Sequence, residues 1–399
     1  MIGESHSNVA ARDGAENMAH ANGAHADAPE GHRAPPMYQA PTHERFAWLT
    51  SPFAPIPGER PSPEEANQAC AFLVECWQQL PTALPRFEAW LGKGGPRPPL
   101  LKRARARETA VRTYARLQNL LLERIIDEVD RRRIPYVLLK SSALRWYVYD
   151  SPLTRCGMDI DIGVGSDDLQ EMQQVLYDLG FVQAQWNQAE RRFEGADPLL
   201  RALVEMVHYE LGFLVRRQRV TGLGAETERL IHSQLDLSPN PWHLDENGEL
   251  ACYVVVDVHH GISREVRVDT LLESRRRIVT SAGERAVPSD AWTLFHLIFK
   301  IYWEGVHDYE NGFYQYGDLC RLIGRVTADD VEQLRSLLSQ YNMNAGAYYV
   351  LRRITSDLGT PLPPELNSLM MENATPPEGR RPGEENDLGD MWPKLWGRR

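Results

Sequence analysis

Ile134-Pro-Tyr-Val-Leu-Leu-Lys140-Ser-Ser-Ala-Leu144, an aromatic stretch through Trp146, Tyr147 and Tyr149, then Arg155-Cys-Gly-Met-Asp159-Ile-Asp161-Ile-Gly-Val164 decide how this chain is read. Val137 to Leu139 form a short apolar run, and Lys140-Ser141-Ser142 interrupts it where a helical pattern begins. That order predicts a strand, a small-residue turn and a helix start. Ile160, Ile162 and Val164 alternate with Asp159 and Asp161, so a strand here puts both carboxylates on one face and the aliphatics on the other.

Two carboxylates at that spacing repel, and one pKa rises unless a cation sits between them. A divalent metal is the simplest remedy. Mg²⁺ prefers hard carboxylate oxygens with waters and substrate phosphates, and a pair of metals clamps the attacking and leaving oxygens of a phosphoryl centre. The Ser141-Ser142 turn offers N–H groups and hydroxyls to phosphate oxygens at the start of a helix. The combination points to nucleotide chemistry. A third acid comes from Ala251-Cys-Tyr-Val-Val-Val-Asp257-Val-His259-His260, a β-branched run bounded by Asn247-Gly248 and Gly261. On that strand Asp257 and His259 share a face.

These motifs, in this order, resemble the stand-alone bacterial nucleotidyltransferases of the DNA polymerase beta-like superfamily. Their pattern runs as a hydrophobic strand, Lys-Gly-x-Ala-Leu, an aromatic segment, an Arg, then two acids separated by one apolar residue. The chain matches at Lys140, Ala143, Leu144, Tyr149, Arg155, Asp159 and Asp161, and carries Ser141 where the family has glycine. Asp257 stands ahead of His259 as the family's third acid precedes a His-aromatic pair, with His260 in the aromatic position. The resemblance implies an α+β fold: a polymerase-beta-like nucleotidyltransferase core, a twisted mixed sheet with helices, flanked by N- and C-terminal helical regions. It implies transfer of a nucleoside monophosphate, AMP by expectation, from a Mg²⁺ or Mn²⁺ complex of an NTP, with ATP expected. The acceptor is a hydroxyl, amine or other nucleophile on a small molecule, peptide or protein, and pyrophosphate leaves. Asp159, Asp161 and Asp257 would hold the metals, Asp257 would also activate the acceptor, and Lys140, Ser141, Ser142, Arg155 and Lys300 would steady the nucleotide phosphates.

Two alternatives stay open. Glycine lets backbone approach a phosphate closely, so Ser141 is the clue to a nucleotide-binding or scaffolding protein that keeps the fold without transfer. Between Lys102 and Arg133, ten basic residues face five acidic ones around the helically spaced Val111, Tyr114, Leu117, Leu121, Ile125 and Val129. That basic helix is the clue to an RNA-modifying enzyme. A net charge of −11 argues against a duplex-binding surface, so nucleic acid ranks below small-molecule and protein acceptors.

No apolar run reaches a membrane span and no basic-then-apolar leader opens the chain, which places it in the cytoplasm by expectation. Cys70, Cys76, Cys156, Cys252 and Cys320 lack CxxC spacing and read as reduced core residues. Residues 1–45, rich in Ala, Gly and Pro and holding His6, His20, His25, His32 and His43, read as a disordered arm. Then follow an N-terminal helical region at 46–100, the nucleotidyltransferase core at 101–283, a C-terminal helical region at 284–360 and a mostly disordered tail at 361–399 ending in an aromatic-basic tip. Within the core, Phe181 to Trp186 and Leu203 to Val215 read as further strands, His208 as a hydrogen-bonded core histidine or one facing the site, and 217–250 as polar and partly inserted. Gly163-Val-Gly165 lacks the third glycine of a dinucleotide fingerprint, and Asp167 and Asp168 would repel a pyrophosphate there. The aromatics near Tyr316 read as core, with base stacking as the minority role.

Overall fold

A computed structural model describes residues 46–373, apart from 188–189, 191, 200, 203–207, 236–240, 264 and 304–312. The histidine-bearing arm, the aromatic-basic tip, His307 and the first part of the strand expected from Leu203 lie outside the described residues.

Pro63–Glu75 forms α1, opened by a capping box in which Ser62 Oγ accepts from Glu65 N–H and the Glu65 side chain accepts from Ser62 N–H. Leu80–Leu91 forms α2, which carries Pro85 inside it. Leu101–Arg132 is the long α3; it buries Val111, Tyr114, Leu121, Leu122, Ile125 and Val129 and ends on Arg133 in a left-handed conformation. Tyr136–Leu138 (β1), the short helix Lys140–Leu144 (α4) and Asp159–Val164 (β2) follow, so the strand, turn and helix start read from sequence are all present.

The core continues with Leu169–Asp178 (α5), Val182–Asn187 (β3), Arg192–Gly195 (β4), Leu214–Arg219 (β5), Ala225–His232 (α6), Trp242–Leu244 (β6) and Leu250–His259 (β7). The strand expected to end at Val215 instead begins at Leu214 and enters the stretch read as polar. Strand order is β1-β2-β7-β5-β3-β4, with β6 pairing β7. Only β2 and β7 run parallel among the described pairs; the others are antiparallel, which makes the sheet mixed. Period-2 alternation gives the sheet two unlike faces. Ile160, Ile162, Val254, Val256 and Val258 bury one face against α3 and α5, at about 1.5–3 kcal/mol for each such side chain. The opposite face carries the acids.

Val268–Glu273 (α7) leads to a hairpin of Arg276–Thr280 (β8) and Gly283–Val287 (β9), a second sheet that spans the expected boundary at 283/284. The remaining helices are Asp290–Trp303 (α8), Phe313–Ile323 (α9), Ala328–Gln340 (α10), Asn344–Leu358 (α11) and Pro364–Glu372 (α12). The last lies where a tail was expected, and it buries Leu366, Leu369 and Met370 against α10 and α11. Its proline at the first turn suits a helix start, because that turn needs no N–H. The first and last helices share one core with Val137 and Leu139 of the sheet's acid side. Ser51 Oγ donates to Leu358 O at 3.3 Å, tying the two ends of the helical body. Among the described residues no helix is long and apolar enough to cross a membrane.

Candidate active site

Parallel pairing of β2 with β7 sets Asp161 directly opposite Asp257 and Gly163 opposite His259. Adjacent strands lie about 4.8 Å apart, so carboxylates in register on one face must meet. Ligand atoms of Asp161, Asp257 and His259 all lie within 4.8 Å of one another. Asp159, two residues before Asp161 on the same face, hydrogen-bonds Asp257 side chain to side chain. The three acids expected at the site are therefore brought together.

Their charges are partitioned unequally. Burial favours the neutral form of Asp161, but Lys140 and His259 outweigh it and hold that carboxyl far below the usual range. Lys140 Nζ sits 2.6 Å from Asp161 Oδ1, and His259 Nε2 lies 3.0 Å from the same oxygen. Asp161 Oδ2 is buried with no hydrogen-bond partner. Burial and then the charges of Asp159, Glu210 and Asp161 push Asp257 well above its ordinary pKa. Asp159 is raised too, by burial and Asp161. Two crowded, buried carboxyls thus oppose each other's charged form, which is the repulsion a cation between them would relieve.

Lys140 has a positive φ of 46°, a conformation costly for a side chain with a Cβ. That turn aims its ammonium into the acids; burial opposes the charge, but Asp161, Glu210, Asp159 and Asp257 raise its pKa well above the usual value. Ser142 Oγ accepts from the Asp161 N–H at 2.9 Å and is fully buried, so it fixes the backbone of the acid strand. Ser141 is buried as well, its Oγ accepting from Arg145 Nη2 at 3.3 Å. Both hydroxyl oxygens thus accept from groups within the protein, Ser141 from Arg145 and Ser142 from the acid strand. The glycine difference at 141 is absorbed inward, away from the acid face.

Arg155 departs furthest from expectation. Its Nε lies 2.9 Å from Asp318 Oδ1 and its Nη2 2.9 Å from Asp318 Oδ2, with both side chains 2% exposed. Gln78 Oε1 takes Nη1 at 3.1 Å, and the Tyr314 ring lies under the guanidinium at 4.8 Å. Every edge is used, so Arg155 fastens α9 to the core and has no donor left for a phosphate. Tyr316 is 2% exposed inside the helical body, which removes the base-stacking role. Lys300, half-buried on α8, is near enough for its charge to lower the pKa of Asp159 and His296. His296, from the same helix, is held neutral by burial and by the cations Lys140, Lys300 and His259.

Two residues at the site escaped the sequence reading. Glu210 Oε1 is 3.1 Å from His259 Nδ1, and Glu210 Oε2 is 3.7 Å from His208 Nδ1, so His208 borders the cluster. Along β5 and β7, Leu214 faces Val256, yet Glu210 rather than Leu211 bridges His259. The register slips by one residue around Gly212, whose φ of 75° suits a bulge, and the slip turns Glu210 onto the acid face. Arg145, buried behind the turn, donates to Gln118, Asn119 and Ser141 without a carboxylate partner. Its spacing of four from Ser141 was the available signal.

The family model of uncharacterised nucleotidyltransferases matches residues 84–358, more than half of the chain. The chain belongs to this nucleotidyltransferase family. The matched span includes the whole sheet, both acid strands and α8 to α11, so the family and the cluster coincide. None of the curated proteins compared with this family member matches it. A crystal structure of an antigenic nucleotidyltransferase-like protein from Paracoccidioides brasiliensis is similar over 64% of this chain and 93% of its own, at 14% identity and a TM-score of 0.27.

Proposed function

We propose that this family member transfers a nucleoside monophosphate from an NTP, ATP by preference, to a nucleophile on a small molecule, peptide or protein. The supporting observation is the register that opposes Asp161 to Asp257, with Asp159 joined to them and one buried Asp161 oxygen left unpaired. Three carboxylates, one of them partnerless at Oδ2, are a hard-oxygen donor set fitted to Mg²⁺ or Mn²⁺. Such a cation, when bound, neutralises charge on the phosphates and on the leaving group.

Asp159 and Asp161 hold the cation. Lys140, which pairs with Asp161, and Lys300, whose charge acts on Asp159, meet the phosphates. The acceptor's nucleophilic atom bonds to the α-phosphorus as the bond to the bridging oxygen breaks, and pyrophosphate departs. Asp257 takes the acceptor's proton.

The scaffold alternative rested on Ser141, and that side chain faces Arg145 rather than the acids. The RNA-modifying alternative rested on the basic helix, where Arg105 pairs Glu88, Arg112 pairs Glu108, Arg131 pairs Glu128 and Arg132 pairs Asp178. Paired arginines offer little to a nucleic-acid backbone. The test is incubation with ATP labelled at the α-phosphate, a divalent cation and cell lysate, followed by separation of small molecules, protein and RNA. Label on an acceptor with stoichiometric pyrophosphate is expected. Absence of any acceptor carrying the α-phosphate label, including the case in which the label stays on ADP while orthophosphate is released, refutes the transfer.

A further inference from the structure

We propose that Glu210 and His259 are a positioning pair that holds Asp161 by Oδ1 so that Oδ2 faces the cation. The inference rests on the reading of the acid cluster as a divalent-cation site and adds two residues to it. His259 lies between two carboxylates, Nε2 at 3.0 Å from Asp161 Oδ1 and Nδ1 at 3.1 Å from Glu210 Oε1. The second contact is an ion pair without hydrogen-bond alignment, since Nδ1 has no hydrogen-bond partner. The ring is 1% exposed and runs nearly parallel to that of Tyr209, 6.4 Å away.

The two oxygens of Asp161 differ sharply as a result. Oδ1 is shared by His259 and Lys140, Oδ2 is buried and empty-handed, and the backbone N–H beneath is fixed by Ser142. A carboxylate free to rotate about its terminal bond would not keep one oxygen reserved. Glu210 reaches His259 only through the bulge at Gly212, and a bulge that re-aims one side chain beside a reactive cluster is a recurrent device. Carboxylate–histidine supports behind metal ligands alter metal affinity typically 10–100-fold when removed. At 20% exposure, Glu210 can be changed without opening the core.

The test measures Mn²⁺ binding by electron paramagnetic resonance and Mg²⁺ by competition, on the full chain and on Glu210→Gln and Glu210→Asp. Glu210→Gln is expected to weaken both cations by one common factor of about 10, with unchanged circular dichroism, and Glu210→Asp to recover part of the loss. With ¹⁵N-labelled histidine, the Mn²⁺ signal should show no directly bonded nitrogen. Unaltered Mn²⁺ affinity in Glu210→Gln overturns the proposal while leaving the cation site intact. A bonded histidine nitrogen overturns it too, because His259 would then be a ligand. Failure of the unsubstituted chain to bind either cation removes the cluster reading itself, and the positioning pair with it.

Discussion

Ser141 Oγ fills the space beside Gly157: a Cβ built on that glycine would lie 2.3 Å from the hydroxyl, 2.8 Å from Asp159 O and 3.4 Å from Arg145 Nη2. The bulkier residue at 141 is thus matched by a missing side chain at 157. Gly157→Ala should destabilise the protein by about 1–3 kcal/mol through overpacking. Ser141→Gly in the same chain should return only part of that, because the Asp159 carbonyl remains in the way. Ser141→Gly alone should leave nucleotide affinity nearly unchanged, since the hydroxyl faces inward. Urea melts and calorimetric titration with Mg²⁺-ATP read both quantities; a large affinity gain in Ser141→Gly would contradict the inward placement.

Breaking the buried Arg155–Asp318 pair should cost stability rather than nucleotide contacts. Asp318→Asn leaves a buried guanidinium uncompensated, at about 3–5 kcal/mol. Replacing both partners, Arg155→Met with Asp318→Leu, should recover much of the loss, because no charge is then stranded. Nucleotide affinity of that folded double variant should match the unsubstituted protein. A selective loss of affinity at full stability would return Arg155 to the phosphates.

The acid cluster predicts opposite effects on stability and activity. Asp159→Asn and Asp161→Asn should abolish transfer while circular dichroism is kept. In chelator, Asp257→Asn should melt at or above the temperature of the unsubstituted chain, because burial and the charge of Asp159 oppose the ionised form of Asp257 and the amide removes that cost. Its folded pKa is raised, so this group's contribution to stability is greatest below its unfolded pKa and is lost as pH rises. A divalent cation, which favours the ionised carboxylates, should therefore release protons on binding. Calorimetry in buffers of differing ionisation enthalpy detects the release, and a value of zero would contradict the raised pKa of Asp257.

The cysteines give a pH dependence away from the site. Burial pushes Cys70, Cys156 and Cys252 up to about 12 and Cys320 to about 11. With folded values above the unfolded one of about 8.5, their stabilising contribution is complete below that pH and fades as pH rises through the folded values. The urea midpoint should fall between about pH 9 and pH 12. At pH 8 iodoacetamide should leave these four thiols unmodified in the native protein and label them in urea. Rapid native labelling of any of them would contradict its burial.

Much of the site was legible because strand geometry is local. Alternation with period 2 is written into Asp159-Ile-Asp161-Ile and into Val256-Asp257-Val258-His259, so the face each side chain takes follows from the backbone alone. Helical periodicity placed α3 for the same reason. Residues 364–372 carry no such local signal, because their few apolar residues find a partner only when α10 and α11 are present.

What the sequence by itself determined is therefore which residues share a face and which kind of element carries them. The tertiary structure alone decided which charges meet. Lys140 goes to Asp161, Arg155 is claimed by Asp318 from 163 residues away, and Glu210 joins His259 through a one-residue slip at Gly212. The physical reason is range. Backbone periodicity is fixed by the dihedrals of neighbouring residues, whereas the partner of a buried charge is whichever group the chain's long-range packing brings close enough to offset its desolvation.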